Sequence, residues 1–140
     1  MAKSSIARLA AAAKNARTHA HAPYSKFKVG AAILADDGKI YSGGNVENAA
    51  YPNGVCAETS AISAMVAASE PGPARRIAEV TVVADRIDGR LTTPCGGCRQ
   101  RLAEFSGPTT PVHVIDPGGE GRTWRMDELL PAAFAMDEPE

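Results

Sequence analysis

The spacing of apolar residues changes character along the chain, and each change marks an element. Over residues 4–19 an alanine-rich stretch with Ile6 and Leu9 in helical spacing predicts a first helix, with Ser4 as its cap. His19 and His21 fall at its end, where cations suit the helix dipole, and both are expected to face solvent. Residues 27–35 and 39–42 flank Asp36-Asp37-Gly38, a hairpin signal, so two antiparallel strands follow. Glycine and asparagine break up residues 43–55, which predicts a polar loop lining a pocket.

Helical period returns over residues 56–69, with Ala57, Ala61, Ile62, Met65 and Val66 on the repeat, and Glu70-Pro71-Gly72-Pro73 ends it. Residues 77–84 read as a buried strand carrying Val80, Val82 and Val83. A third helix runs from the segment at Pro94 to Phe105. Residues 111–115 and 122–126 predict two more strands joined by Asp116-Pro117-Gly118-Gly119, and Asp127 is expected to cap a last helical turn. The order αββαβαββα gives an α/β sheet covered on both faces. At 140 residues this is one domain, residues 1–136, with an acidic frayed tail at 137–140.

Composition narrows the function. Hydrophobic residues make up 44% of the chain, yet no run approaches the ~20 apolar residues of a membrane span, so no membrane partner is expected. The apolar stretch 9–13 is hemmed in by Arg8, Lys14 and Arg17 too closely for a secretory core of ~7–15 residues. Fifteen basic against sixteen acidic residues leave a net charge of −1, which makes polymeric nucleic acid a poor partner. Arg75-Arg76 and the spread Arg99 and Arg101 accordingly read as solvated or ion-paired surface rather than a phosphate patch. Three cysteines, an odd number, argue against a secreted disulfide framework and for a reducing compartment, the cytoplasm.

Those cysteines carry the chemistry. All three fall in Cys56-Ala57-Glu58 and Pro94-Cys95-Gly96-Gly97-Cys98. The pair alone fits a redox couple as well as a ligand pair, and buried thiols serve as small hydrophobes. Cys56 with Glu58 tips the reading to metal. Structural zinc is closed by four protein ligands, whereas catalytic zinc keeps three and leaves one position to water, whose pKa falls from 15.7 to roughly 7. On a helix start, Cys95 and Cys98 at i and i+3 share a face, and the dipole favours thiolate. Glu58, two residues past Cys56, is badly placed as a ligand but reaches a bound water. Three soft thiolates favour Zn²⁺ over hard cations.

Asn45-Val46-Glu47-Asn48-Ala49-Ala50-Tyr51, Cys56-Ala57-Glu58 and Pro94-Cys95-Gly96-Gly97-Cys98-Arg99-Gln100 closely resemble the short, homotetrameric, zinc-dependent cytidine deaminases. The resemblance runs in register from Ala22-Pro23-Tyr24-Ser25-Lys26-Phe27 to Leu129-Leu130-Pro131-Ala132-Ala133-Phe134. It implies a three-layer α/β/α sandwich with a mixed five-stranded sheet. The implied reaction is hydrolytic deamination of free cytidine and 2′-deoxycytidine to the uridines with release of ammonia, a pyrimidine-salvage step at a cyclic amidine C–N bond.

The resemblance also implies roles. Cys56, Cys95 and Cys98 would hold one zinc per subunit, and Glu58 would shuttle protons between water, ring N3 and the departing amine. Asn45 and Glu47 would bond the ribose 3′-hydroxyl, and Phe27 would pack on the base. Ala57 would offer backbone groups to the base and Pro94 its carbonyl to the amine. Ala49, Tyr51 and Phe134 would reach into sites of neighbouring subunits, so a homotetramer is expected and a monomer would be inactive. From the residues alone, Phe27 is more simply core and Phe134 local packing.

One position departs from the family. Many short relatives have Arg directly after the catalytic glutamate, where this chain has Thr59. Three thiolates around Zn²⁺ leave a net −1, which weakens the Lewis acid, and a hydroxyl donates only a neutral hydrogen bond. Compensation is expected from the helix ends, with Arg99 mostly structural.

Two other functions compete. Blasticidin-S deaminases, which act on an antibiotic cytosine nucleoside, share the Cys-Ala-Glu and Pro-Cys-x-x-Cys blocks, but the retained 45–51 block argues for an ordinary nucleoside. A closed, non-catalytic zinc module would need a fourth ligand. His113 is the one histidine beyond the N-terminal region, and Val112-His113-Val114 suits it to an outward-facing strand position.

Overall fold

The computed structural model describes residues 2–73 and 75–136, with side chains from Ser5 onward; the acidic tail lies outside the described residues. Helix α1 spans Ala2–Thr18, β1 Val29–Ala35, β2 Ile40–Gly44, α2 Ala57–Ala68 and β3 Ile77–Ala84. Helix α3 spans Gly96–Phe105, β4 Pro111–Ile115, β5 Gly121–Arg125 and α4 Met126–Leu129. The strands form one mixed sheet in the order β2-β1-β3-β4-β5, with β3 and β4 parallel and every other pair antiparallel. The parallel neighbours are joined through α3, as the reach of a parallel crossover requires.

Strand alternation divides the sheet into two apolar faces. On one, Leu9 and Ala13 of α1 pack on Ala32 and Val83. On the other, Ala61 and Met65 of α2, Leu102 of α3 and Leu129 of α4 pack on Ile33, Val80, Val82, Val112 and Val114. The result is the expected α/β/α sandwich. Leu9, Ala13 and Ala16 recur at i, i+4 and i+7, one stripe of α1, and all three are buried.

Local differences from expectation have physical causes. Helix α1 begins at Ala2, so Ser4 lies inside it rather than at its cap. Asp127 sits in the first turn of α4 and pairs with Arg125 at 2.8 Å, while Glu128 closes the cap by accepting from Arg125 N–H. Strand β2 continues through Gly43 and Gly44, where the residue types predict loop; a Cβ at Gly43 would meet Ser60 Cβ at 2.5 Å, so glycine is what lets α2 lie against the strand. Arg75 donates to Val66 O and Ser69 O at the end of α2, and Arg76 to Ser106 O after α3. Both arginines therefore cap helices instead of lying in solvent.

His113 is the clearest correction. It is 8% exposed, not outward-facing in solvent, and its ring nitrogens bond Thr123 Oγ1 and Glu79 Oε2. The polar partners on β5 and β3 make burial tolerable.

Candidate active site

Two helix starts carry the thiols. Cys56 is the residue before α2 and Cys95 the residue before α3, with Cys98 one turn further in. Their Sγ atoms all lie within 4.8 Å of one another, a separation that two bonds of ~2.3 Å to one zinc ion nearly span. Three free thiol donors, with no fourth ligand in the group among the described residues, suit zinc with an open position. Cys98 is buried, while Cys56 and Cys95 face the opening. Burial pushes the Cys98 thiol up, and the neighbouring Glu58 charge adds to that.

Glu58, in the first turn of α2, is 5% exposed. Burial pushes its carboxyl above the ordinary range, with its own backbone N–H, Cys98 and Arg101 pulling the other way. Thr59 Oγ1 stands 3.9 Å from Cys98 Sγ, at the long limit for a sulfur hydrogen bond.

A cavity of about 460 Å³ joins these groups. Cys56, Ala57, Glu58 and Cys95 line it together with Asn45, Glu47, Tyr51, Phe27 and Val29. Its size falls in the small-molecule range, and its described lining holds no Lys or Arg. Asn45 Nδ2 donates to Phe27 O at 2.9 Å while its Oδ1 accepts from Val29 N–H at 2.9 Å, which leaves one amide hydrogen unused. Glu47 accepts from Tyr24 N–H at 3.0 Å, Ser25 N–H at 3.1 Å and the Ser25 hydroxyl. A carboxylate has about four acceptor sites, so one remains. The Ser25 hydroxyl bond, partly offset by burial, holds the Glu47 carboxyl below its usual range.

The remaining expected residues differ in where they sit. Ala49 and Phe134 are exposed outside the cavity wall, and Phe134 O accepts from Gln100 Nε2 at 3.0 Å. Tyr51 lines this chain's own cavity and meets Tyr24 edge-on at 6.4 Å between centroids. Pro94 is buried, and its carbonyl accepts from Arg99 Nε at 2.7 Å. Arg99 also donates to Leu129 O at 2.8 Å and Thr93 Oγ1 at 3.0 Å. Ser25, Thr92 and Thr93 line the cavity although the sequence does not single them out for it. Ser25 belongs to a recognisable block two residues before Phe27, whereas Thr92 and Thr93 carry no local signal beyond preceding Pro94.

Comparison with known proteins agrees with this geometry. The family profile described as the cytidine and deoxycytidylate deaminase zinc-binding region matches residues 3–114. A cytidine deaminase of Sporosarcina psychrophila is 41% identical over 133 residues, covering 95% of this chain and 93% of the relative. A cytidine deaminase of Mycobacterium tuberculosis strain H37Rv is 38% identical over 127 residues, 90% of this chain and 86% of that protein. Among solved structures, the cytidine deaminase from Burkholderia pseudomallei superposes with a TM-score of 0.80 at 44% identity, covering 91% of this chain and 98% of that one. With the profile spanning all three cysteines and relatives matched over nearly the whole sequence, the chain belongs to the cytidine and deoxycytidylate deaminase family of zinc-dependent hydrolytic deaminases.

Proposed function

We propose that this protein deaminates free cytidine and 2′-deoxycytidine to uridine and 2′-deoxyuridine, releasing ammonia. The observation that carries the reading is one cavity lined by Cys56, Cys95 and buried Glu58 together with Asn45 and Glu47. Held by Cys56, Cys95 and Cys98, zinc supplies Lewis acidity that makes a water nucleophilic at neutral pH.

The chain's own groups do the rest. Glu58 takes a proton from the attacking water and delivers it to ring N3 so that C4 becomes more electrophilic. It then takes the second proton from the hydroxyl now bonded to C4 and gives it to the amine, which leaves as ammonia while C4=O forms. Its burial supports that alternation, because a carboxyl pushed upward holds a proton more readily than an exposed one. Phe27 and Val29 offer apolar wall to the base, and Pro94 O keeps a lone pair for the amine beyond the one Arg99 uses. The free amide hydrogen of Asn45 and the free acceptor site of Glu47 suit the ribose 3′-hydroxyl. A 5′-phosphate finds no Lys or Arg in the described cavity lining, which favours a nucleoside over a nucleotide.

Ala49, Tyr51 and Phe134 complete neighbouring sites in a homotetramer. Tyr51 is 72% and Phe134 70% exposed in the single chain, surfaces that aromatic side chains give up readily at interfaces. Thiols that must stay unpaired suit the cytoplasm.

An ultraviolet assay of cytidine, deoxycytidine and deoxycytidine 5′-monophosphate tests the reading, together with zinc content. Both nucleosides are expected to turn over and the monophosphate to be a far poorer substrate. Glu58→Gln should keep its zinc and lose turnover by roughly 10²–10⁴-fold, the usual worth of a positioned proton carrier. Full activity in that variant would remove the proton shuttle.

A further inference from the structure

The thiol cluster is served by a positive neighbour, and neither of the two residues nearest to hand aims a charged donor at a sulfur. Three thiolates around one divalent ion carry a net −1. Thr59 offers only a neutral hydroxyl 3.9 Å from Cys98 Sγ. Arg99, although it follows Cys98 directly, spends its guanidinium on Pro94 O, Leu129 O and Thr93 Oγ1. None of these bonds goes to a sulfur.

We propose that Arg101 is the cation that offsets the thiolate charge, a positioning residue reaching the site from outside across Gly97. Long side chains on a helix lean toward its N-terminus and cover the residue four positions earlier. On α3 that residue is Gly97, between Cys95 and Cys98. A Cβ at Gly97 would lie 2.9 Å from Arg101 Nη1 and 4.0 Å from Cys95 Sγ, so guanidinium and sulfur flank the same gap. Two reaches that short keep them closer than the screening length of about 8 Å at physiological salt. Among the described residues Arg101 makes no hydrogen bond and no ion pair, so its charge is not spent elsewhere. Its field also reaches Glu58, where it favours the ionised carboxylate against the larger effect of burial.

The consequence concerns metal retention as well as rate. Loading replaces three thiol protons by one divalent ion, so it leaves the site one unit more negative, and a cation nearby stabilises the loaded form. Removing one charge at this range weakens zinc retention by roughly tenfold at low salt, less at high salt.

The inference rests on the zinc deaminase reading, so wild-type protein is measured first for zinc content and cytidine turnover. Zinc dissociation is then followed with a chromogenic chelator at low and high salt for Arg101→Met, which keeps an apolar stem, Arg101→Lys, and Arg101→Met combined with Thr59→Arg. The Met variant is expected to release zinc at roughly tenfold lower chelator at low salt, the Lys variant to stay near wild type, and the relocated charge to recover most of the loss. A Met variant that holds zinc like wild type at both salt concentrations overturns the proposal, as does a Lys variant that loses as much as Met. Wild-type protein that neither binds zinc nor consumes cytidine overturns the functional reading itself, and the two failures are thereby distinct.

Discussion

Ser25 donates its hydroxyl to the Glu47 carboxylate at the cavity wall, and the N–H groups of Tyr24 and Ser25 converge on the same acceptor. The loop before β1 thus aims and charges a residue contributed by the loop after β2. That bond is the largest influence holding the Glu47 carboxyl below its usual range, burial working against it. A depressed carboxyl keeps its charge above its own pKa and loses it only as pH falls further. Ser25→Ala should therefore raise KM for cytidine several-fold at pH 7 with kcat nearly unchanged, because Glu47 loses the bond that orients it. As pH falls toward the carboxylate range, KM of the variant should climb before that of wild type. Parallel KM–pH curves would dissociate Ser25 from the charge on Glu47.

The approach of α2 to β2 positions Cys56 and Glu58 as surely as their own turn does. A methyl group at Gly43 would stand 2.5 Å from Ser60 Cβ and 2.8 Å from Ala61 N, both on α2. Gly43→Ala must push the helix outward or bend the strand, at about 1–3 kcal/mol for overpacking. Because the displaced helix carries Glu58, kcat should fall as well as the melting temperature. A variant with lowered stability and wild-type kcat would show that the site tolerates movement of α2.

Glu79, His113 and Thr123 form a polar chain across β3, β4 and β5, on the sheet face opposite the one packed by α2. His113→Ala removes a buried ring and two hydrogen bonds, to half-buried Glu79 and exposed Thr123, which costs about 1–3 kcal/mol. The cavity is on the other side of the sheet, so kcat/KM for cytidine should stay within about twofold of wild type at temperatures below melting. Urea unfolding read beside the ultraviolet assay checks both halves of the expectation.

How far residues alone specify this molecule depends on whether the cause is local. Strands 77–84 and 111–115 have the bounds their sequences predict, because apolar runs and flanking Pro or Gly are local signals. The 36–38 turn behaves as expected too, with Gly38 at φ +84° and its N–H on Ala35 O. Strand β2 outruns its predicted end because glycine reads as loop until one knows that a helix lies against it. His113 defies expectation because Glu79 is 34 positions away and nothing near His113 announces a partner. In the site, thiol spacing gives the cluster away, whereas Arg101 acts through a four-residue step over a glycine. That step is visible in Gly97-Cys98-Arg99-Gln100-Arg101 once the helix start is fixed.

Arg99 ties the cavity's edge to the end of the fold, since one guanidinium joins Pro94 O and Thr93 Oγ1 before α3 to Leu129 O in α4. Lysine keeps the charge but is a single ammonium on a flexible stem, and it cannot meet three acceptors in the plane that a guanidinium fork serves. Arg99→Lys should therefore destabilise by about 2–3 kcal/mol, the worth of one charge-assisted bond plus part of another. The loss should fall unevenly on catalysis. Thr93 lines the cavity and Pro94 directly precedes Cys95, so loosening them disturbs the region proposed to meet the exocyclic amine. The expected signature is a larger drop in kcat for cytidine than rise in KM, with zinc content preserved, because no thiol depends on Arg99. Loss of zinc from Arg99→Lys would instead show that the bonds of Arg99 to Thr93 and Pro94 hold the Cys95 turn in place for the metal.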